Sequence, residues 1–254
     1  MADIKVGIQM FSIKAQIAEY GLEPMLRMLA EAGVEYVEIA GYYGLSPIEL
    51  KGLLDKYGLR AVAAHIKPQD AESTIEYVET LGIEKVYVPI VPLARFGESE
   101  YPELVSDIRA AKAIYDARGI TYGYHNHKQE LDGGDDKIEH LMNEIQGFTS
   151  ELDIFWARAA GRDPVNMVEK YGNRLSALHI REMDKRANPD NPTEYPHAIV
   201  GEGQCRALEC YIAARKYGVD TFILEVGAYP IDFRDYIRIS IENIKGFEAH
   251  YVGG

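Results

Sequence analysis

Two imidazoles, an amide and a carboxylate fall within six residues near the middle of the chain: His125, Asn126, His127 and Glu130. They close an apolar run, Ile-Thr-Tyr-Gly-Tyr over 120–124, that has the composition of a buried strand. Successive side chains on a strand alternate in direction, so His125 and His127 share one face and Tyr124 and Asn126 the other. Two histidines on one face bind a metal ion or an anionic substrate, or simply hydrogen-bond within a core. The same change from apolar strand to ligand chemistry recurs downstream, at Asp153 in Glu-Leu-Asp-Ile-Phe-Trp, His179 in Leu-His-Ile-Arg-Glu and Glu225 in Ile-Leu-Glu-Val-Gly. Taken singly, each has a structural explanation: Asp153 as a cap or a partner of Arg158, His179 as a neutral core histidine, Glu225 as a bridge to a lysine or arginine. Taken together they do not, because charges at the ends of apolar strands are costly to bury unless they share a partner. Mixed imidazole and carboxylate donors suit one divalent ion, Mn2+ first, with Co2+, Mg2+ or Zn2+ as alternatives, and leave positions open for substrate oxygens.

These residues converge only if the strands that carry them lie side by side and run in one direction. Branched and aromatic runs predict strands over 4–11, 34–40, 59–65, 85–90, 120–127, 151–155, 175–180 and 221–226. Between them, apolar residues at helical spacing predict helices over 23–32, 47–57, 70–81, 101–118, 137–145, 164–171, 207–217 and 233–247. Ser46 followed by Pro47 marks one helix start, and Gly33, Gly58, Gly82 and Gly119 mark helix ends. Strict alternation requires parallel strands, and eight strand–helix units favour an α/β fold of one domain over 1–254, a closed (β/α)8 TIM barrel. The alternative, an open doubly wound sheet, lacks its glycine-rich phosphate turn, since Gln9-Met10-Phe11-Ser12 follows the first strand. One connection is long for a barrel: 184–203, with Pro189, Pro192 and Pro196, is expected to form a lid over the active face.

Composition narrows the partners. The 254 residues carry 27 basic and 40 acidic side chains, a net charge of −13, which repels phosphate backbones and argues against nucleic acid. The two cysteines, Cys205 and Cys210, stand five apart in an expected helix, a poor geometry for a disulfide, so they are read as reduced thiols. No window approaches the ~18 uninterrupted apolar residues of a membrane span, and the first residues lack the pattern of a signal peptide. The expectation is a cytoplasmic protein with a small-molecule sugar or keto-sugar as partner, in a homo-oligomer or hetero-complex, with no membrane partner.

The chain resembles the xylose-isomerase-like TIM-barrel superfamily of sugar phosphate isomerases and epimerases over nearly its whole length. The motifs that carry the resemblance are Gly7 to Lys14, Val37-Glu38-Ile39-Ala40-Gly41-Tyr42, Ala64-His65, Tyr124-His125-Asn126-His127 with Glu130, Leu152 to Trp156, Leu178 to Glu182, Gly201-Glu202-Gly203 and Glu225. The resemblance implies that Asp153, His179 and Glu225 are metal ligands, with the fourth ligand at the end of the fifth strand. There the sequence departs from the family, which usually has glutamate where His125 stands. In the epimerase branch that glutamate and the eighth-strand glutamate act as opposed acid and base. A His125–Glu225 pair is asymmetric and also suits enolisation followed by loss of a β-leaving group, the logic of the family's keto-inositol dehydratases. Glu130 is expected either to support the ligands from behind or to replace the missing glutamate as ligand and base. Trp156 stands where many relatives have histidine, and floors a sugar pocket or packs. Substrate contacts are also expected of Lys14, Glu38, His65, His127 and Lys185, with Arg186 beside it, against the plainer alternatives of solvated lysine and core histidine. The resemblance thus implies a metal-dependent isomerase or epimerase of a ketose or keto-sugar. The alternatives are a lyase that dehydrates a keto-cyclitol or cleaves a 3-keto-glycoside, including carbon-linked ones, and a non-catalytic sugar-binding barrel. The endonuclease branch needs more zinc ligands and a basic face that this sequence lacks.

Overall fold

A computed structural model describes residues 3–187 and 196–252. Eight strands, β1 (Lys5–Gln9), β2 (Tyr36–Ile39), β3 (Arg60–His65), β4 (Lys85–Val88), β5 (Thr121–His125), β6 (Thr149–Asp153), β7 (Leu175–Ile180) and β8 (Thr221–Leu224), pair in chain order. All pairings are parallel, and β8 returns to β1, so the sheet closes into the expected barrel and leaves no unpaired edge. Helices return the chain between strands. The helix Pro47–Lys56 begins at a capping box in which Ser46 and Glu49 satisfy each other's backbone amides. Inward-facing positions alternate along each strand, and a small inner core of Tyr36, Val62, Ala63, Tyr87, Ala177 and Ile223 fills the barrel below the polar layer. Below that core Lys85 donates to Ser176 O, Asp220 and Thr221 at 2.6–2.9 Å and plugs the opposite mouth.

The strands stop earlier than apolar composition predicts. β1 ends at Gln9 rather than 11, and β5 at His125 rather than 127. β6 spans Thr149–Asp153 rather than 151–155, because the Asp153 carboxylate accepts the Trp156 amide at 2.8 Å and starts the helix Ile154–Ala159. Glycine matters at inward strand positions: a Cβ on Gly7 would meet Tyr36 O at 2.6 Å. A Cβ on Gly123 would meet Thr149 O at 2.5 Å, so β5 reaches His125 only by passing close against β6. Of the long connection 184–203, residues 188–195 with Pro189 and Pro192 lie outside the described residues. Its two stems pair with each other, Asp184 N donating to Pro196 O and Ala198 N to Glu182 O. The Glu182 carboxylate then accepts the amides of Cys205 and Ala207 and closes the loop at the start of the helix Ala207–Lys216. Cys205 and Cys210 are both buried free thiols, with Cys205 just ahead of that helix. Among the described residues no helix is long and apolar enough to cross a membrane.

Candidate active site

The ends of β5, β6, β7 and β8 bring His125, Asp153, His179 and Glu225 together, with one ligand atom from each lying within 4.8 Å of all the others. Register does this work: Asp153 is the lateral neighbour of His179, and the Glu225 amide extends the ladder by donating to Ile180 O at 3.3 Å. Asn126 continues the β5–β6 pairing beyond the strands, its side-chain oxygen accepting from Asp153 N at 2.9 Å. One Asp153 oxygen is occupied by the Trp156 amide, which leaves the other to face the cluster. His179 Nδ1 lies 2.9 Å from Glu225 Oε2 and 4.0 Å from Asp153 Oδ2, and His125 Nε2 lies 3.9 Å from Glu225 Oε2. An ion with ~2.1 Å bonds separates neighbouring octahedral ligands by about 3 Å and opposite ones by about 4.2 Å. The separations of 2.9–4.0 Å lie in this range, and the mixed imidazole and carboxylate donors suit a divalent ion. Arg181 Nη1 stands 3.4 Å from Asp153 and 3.5 Å from Glu225, its guanidinium held over the rings of Phe155 at 4.5 Å and Trp156 at 5.1 Å.

Beneath these ligands lies a second layer of carboxylates. Glu151 Oε2 is 2.8 Å from His65 Nε2, 3.1 Å from His179 Nε2 and 3.3 Å from His125 Nδ1. Glu38 Oε2 lies 2.6 Å from His179 Nε2 and accepts from Gln9 at 2.7 Å. His65, His125, Glu151 and His179 thus form a second ligand-like group. It shares His125 and His179 with the first group, but uses the opposite nitrogen of each ring. Filling both would require two imidazoles to bridge two cations. The simpler chemistry is one ion in the upper group, with carboxylates behind the imidazoles that fix tautomer and orientation. Glu151 is the lateral neighbour of His125 across the β5–β6 ladder. A carboxylate of the sixth strand thus stands behind His125, outside the four upper ligands.

Protonation follows from this crowding. Burial would raise Glu151, but the imidazoles of His179, His125 and His65 hold it well below the carboxylate range. Burial likewise opposes ionisation of Glu225, which Arg181 and His179 overcome, so it stands as a carboxylate. Burial lifts Asp153 to about 6, against Arg181 and with the help of Glu225. Burial, reinforced by Glu151, raises Glu38. Burial pushes His125 well down and His127 to about 4, so both rings are neutral. For His179 the burial penalty is outweighed by Glu151 and Glu38, which raise it well above the ordinary value. His65 is raised in the same way, by Glu38 and Glu151 against its burial.

A cavity of about 360 Å³ opens beside the cluster, lined by His65, His125, His127 and Glu225 at one end. His125 and His127 share it, as strand alternation predicts. Glu130 is not brought there. Its carboxylate accepts from Tyr124 OH at 3.1 Å, Gln129 at 2.8 Å and His127 N at 2.8 Å, so it fixes the turn into the short helix Lys128–Leu131 and lies outside the ligand groups. Glu38 is fully buried behind His179 rather than at the substrate surface. Lys14 is exposed, its ammonium 5.2 Å from the Phe11 ring, and Lys185 is exposed on the long loop; neither lines the cavity. Arg186 pairs with Asp184. Trp156 packs on Arg181 and lies 5.8 Å from the His127 ring, outside the cavity lining. Glu151 and Arg181 are the residues of this cluster that sequence reasoning passed over. Their signal was the two-residue spacing from Asp153 and His179, which sets each pair on one face of its strand.

A family model described as a xylose isomerase-like TIM barrel matches residues 5–246. An inosose dehydratase of Geobacillus kaustophilus is 21% identical over 193 residues, 65% of this chain and 63% of that protein, so the chain spans less than two thirds of that relative's length. A solved sugar phosphate isomerase/epimerase from Parabacteroides distasonis is 23% identical, with 95% of this chain and 93% of that chain covered and a TM-score of 0.76. A xylose isomerase-like TIM barrel protein from Mycobacterium smegmatis, solved in complex with magnesium, is 13% identical, with 99% and 100% covered and a TM-score of 0.79.

Proposed function

This chain belongs to the xylose isomerase-like TIM-barrel family, and from that premise we propose that it is a divalent-metal-dependent sugar isomerase or epimerase acting on a ketose or keto-sugar. The observation that carries the reading is that Glu225 belongs both to the four-residue ligand group and to the cavity wall. His125, Asp153, His179 and Glu225 would hold the ion, with Mn2+ as first choice. When bound, it supplies Lewis-acid polarisation of the carbonyl and neighbouring hydroxyl oxygens of the sugar. The Glu225 carboxylate, ionised and with 13% of its side chain exposed, accepts the proton from the carbon beside the carbonyl, which gives an enediolate. His65, at the cavity wall and raised in pKa by its carboxylate neighbours, holds a proton to return. Glu151 and Glu38 keep the two imidazole ligands in place, and Glu130 positions His127 through its backbone amide.

A second reading, a lyase on a keto-sugar, is favoured by one feature. The other ionisable groups at the Glu225 end of the cavity are the imidazoles of His65, His125 and His127. A carboxylate base with an imidazolium acid suits removal of a proton and protonation of a departing oxygen. Incubating the Mn2+-loaded protein with keto-sugars in D2O separates the two. Deuterium in a sugar of retained composition means isomerisation, and release of water or an aglycone means elimination. Absence of exchange into any keto-sugar, with the metal bound, overturns proton abstraction altogether.

A further inference from the structure

We propose that the sugar taken by this site is unphosphorylated and carries an apolar substituent, in the simplest case an aryl group, that lies against Phe11, Ile66, Pro89 and Ile90. This rests on the reading of the site as a keto-sugar enzyme. The cavity has two chemically different ends built from different strands. The end formed by β5 and β8, with His65 from β3, is imidazole and carboxylate; the wall formed by the segments after β1 to β4 is mainly apolar, with Lys67, Asp70 and Thr74 as its polar members. Phe11 is 57% exposed and Ile90 44% exposed, so large apolar side chains stand open to solvent on the wall of a cavity whose far end is charged. Tyr42, on the same wall, is braced by stacking on Tyr77 at 3.8 Å.

A bare sugar does not suit this cavity. Hydroxyls placed against Phe11, Ile66, Pro89 and Ile90 would lose water and find no partner, which is unfavourable for each one. An apolar group there instead removes both its own surface and that of the protein from water. The charges do not suit a phosphate either. The cavity lining holds one lysine, Lys67, and one aspartate, Asp70, so that part of the wall carries no net positive charge, and the Arg181 guanidinium already faces the carboxylates of Asp153 and Glu225. One molecule with a polar ring and an apolar appendage matches both ends of one continuous cavity.

The test is calorimetric titration of the Mn2+-loaded full chain with the methyl and phenyl glycosides of the same 3-keto-glucose, and with the methyl glycoside 6-phosphate. The phenyl compound is expected to bind more tightly than the methyl one by on the order of tenfold, the scale of one covered aromatic ring. Phe11→Ala and Ile90→Ser, both at exposed positions, should each bring that ratio several-fold closer to one, with light scattering showing an unchanged oligomeric state. Equal affinities, no binding of the phenyl compound, or tighter binding of the phosphate overturn the proposal. So does a Phe11→Ala variant that keeps the ratio and changes its oligomeric state, because the apolar rim is then a contact between copies. The ratio is read from binding alone. A phenyl preference without deuterium exchange sinks the proton-abstraction reading only, and exchange with equal affinities sinks this one only.

Discussion

Glu151→Gln is the sharpest perturbation of the metal centre, because it changes one atom and a charge while leaving shape and burial alone. The carboxylate oxygen it removes stands 2.8–3.3 Å from nitrogens of His65, His179 and His125, and two of those rings are proposed to hold the ion through their other nitrogen. Groups that hold a ligand imidazole from behind typically contribute ~10–100-fold to metal affinity. Serving two ligand rings at once, Glu151 is expected near the upper limit, about 100-fold or about 2.7 kcal/mol. An amide also presents an NH2 group to rings that donate toward Glu151, so tautomers are scrambled as well as weakened. The assay is Mn2+ titration by calorimetry or by the loss of the free-ion electron paramagnetic resonance signal. Melting of the metal-free variant checks that the barrel still forms. Glu130→Gln is the control, since Glu130 touches Tyr124, Gln129 and the His127 amide but no ligand ring, and its loss should leave Mn2+ affinity within about threefold. Wild-type affinity in Glu151→Gln, or an equal loss in Glu130→Gln, refutes the assignment of the carboxylate behind the ligands.

Glu225→Gln, measured at saturating Mn2+ with the site shown to be filled, should slow deuterium exchange into substrate by at least ~100-fold, whereas Asp153→Asn should regain activity as Mn2+ is raised; unchanged exchange in Glu225→Gln makes that residue a ligand only. Metal affinity should fall with acidity. Asp153, raised to about 6, and His179, raised well above its ordinary value, both hold protons that the ion displaces. Two protons should therefore be released per ion below about pH 6 and one above it, as read by calorimetry in buffers of different ionisation enthalpy; no release at pH 5.5 contradicts the assignment. For folding of the metal-free protein the sign at Asp153 is the opposite. Its raised pKa favours the metal-free native state at pH below the unfolded value near 3.9, and that contribution is lost as pH rises through about 6. Gly123→Ala should cost about 1–3 kcal/mol in urea denaturation, because its Cβ would stand 2.5 Å from Thr149 O; a neutral result means β5 and β6 are less tightly apposed.

The barrel was legible because period-two and period-3.6 patterns alternate without interruption, and two elements, Pro164–Tyr171 and Leu175–Ile180, have the bounds their residues predict. The four strand-end ligand candidates were legible for the same reason: a charge after an apolar run marks where a strand leaves the core. Glu151 was not, because the sixth strand reads as beginning there, whereas in the barrel it begins at Thr149 and Glu151 sits at its centre. Its partners lie on three other strands, and the register that sets Glu151 beside His125 is a property of the closed sheet, not of either segment. Glu130 misled for the opposite reason. Its spacing from His125 says nothing of direction, and one turn of helix, Lys128–Leu131, carries its carboxylate back toward Tyr124 and the chain that follows His125.

The order in which the strands join has a consequence for how such a protein changes over generations. The four residues of the upper ligand group lie between 125 and 225, while the apolar wall of the cavity comes from residues 11 to 90. The ligand group and the apolar wall are therefore written in consecutive lengths of one gene, although Glu38 behind His179 and His65 beside Glu151 belong to the first length. An exchange of the first four strand–loop units between two such barrels, or mutations confined to them, would alter which molecule is admitted and leave the ion-binding side chains in register with one another. The closed ladder keeps the halves aligned across that junction, since β4 pairs with β5 and β8 with β1 through backbone atoms that any side chains share. A barrel built in this order can acquire new substrates by drift in its first third, provided Glu38 and His65 are kept.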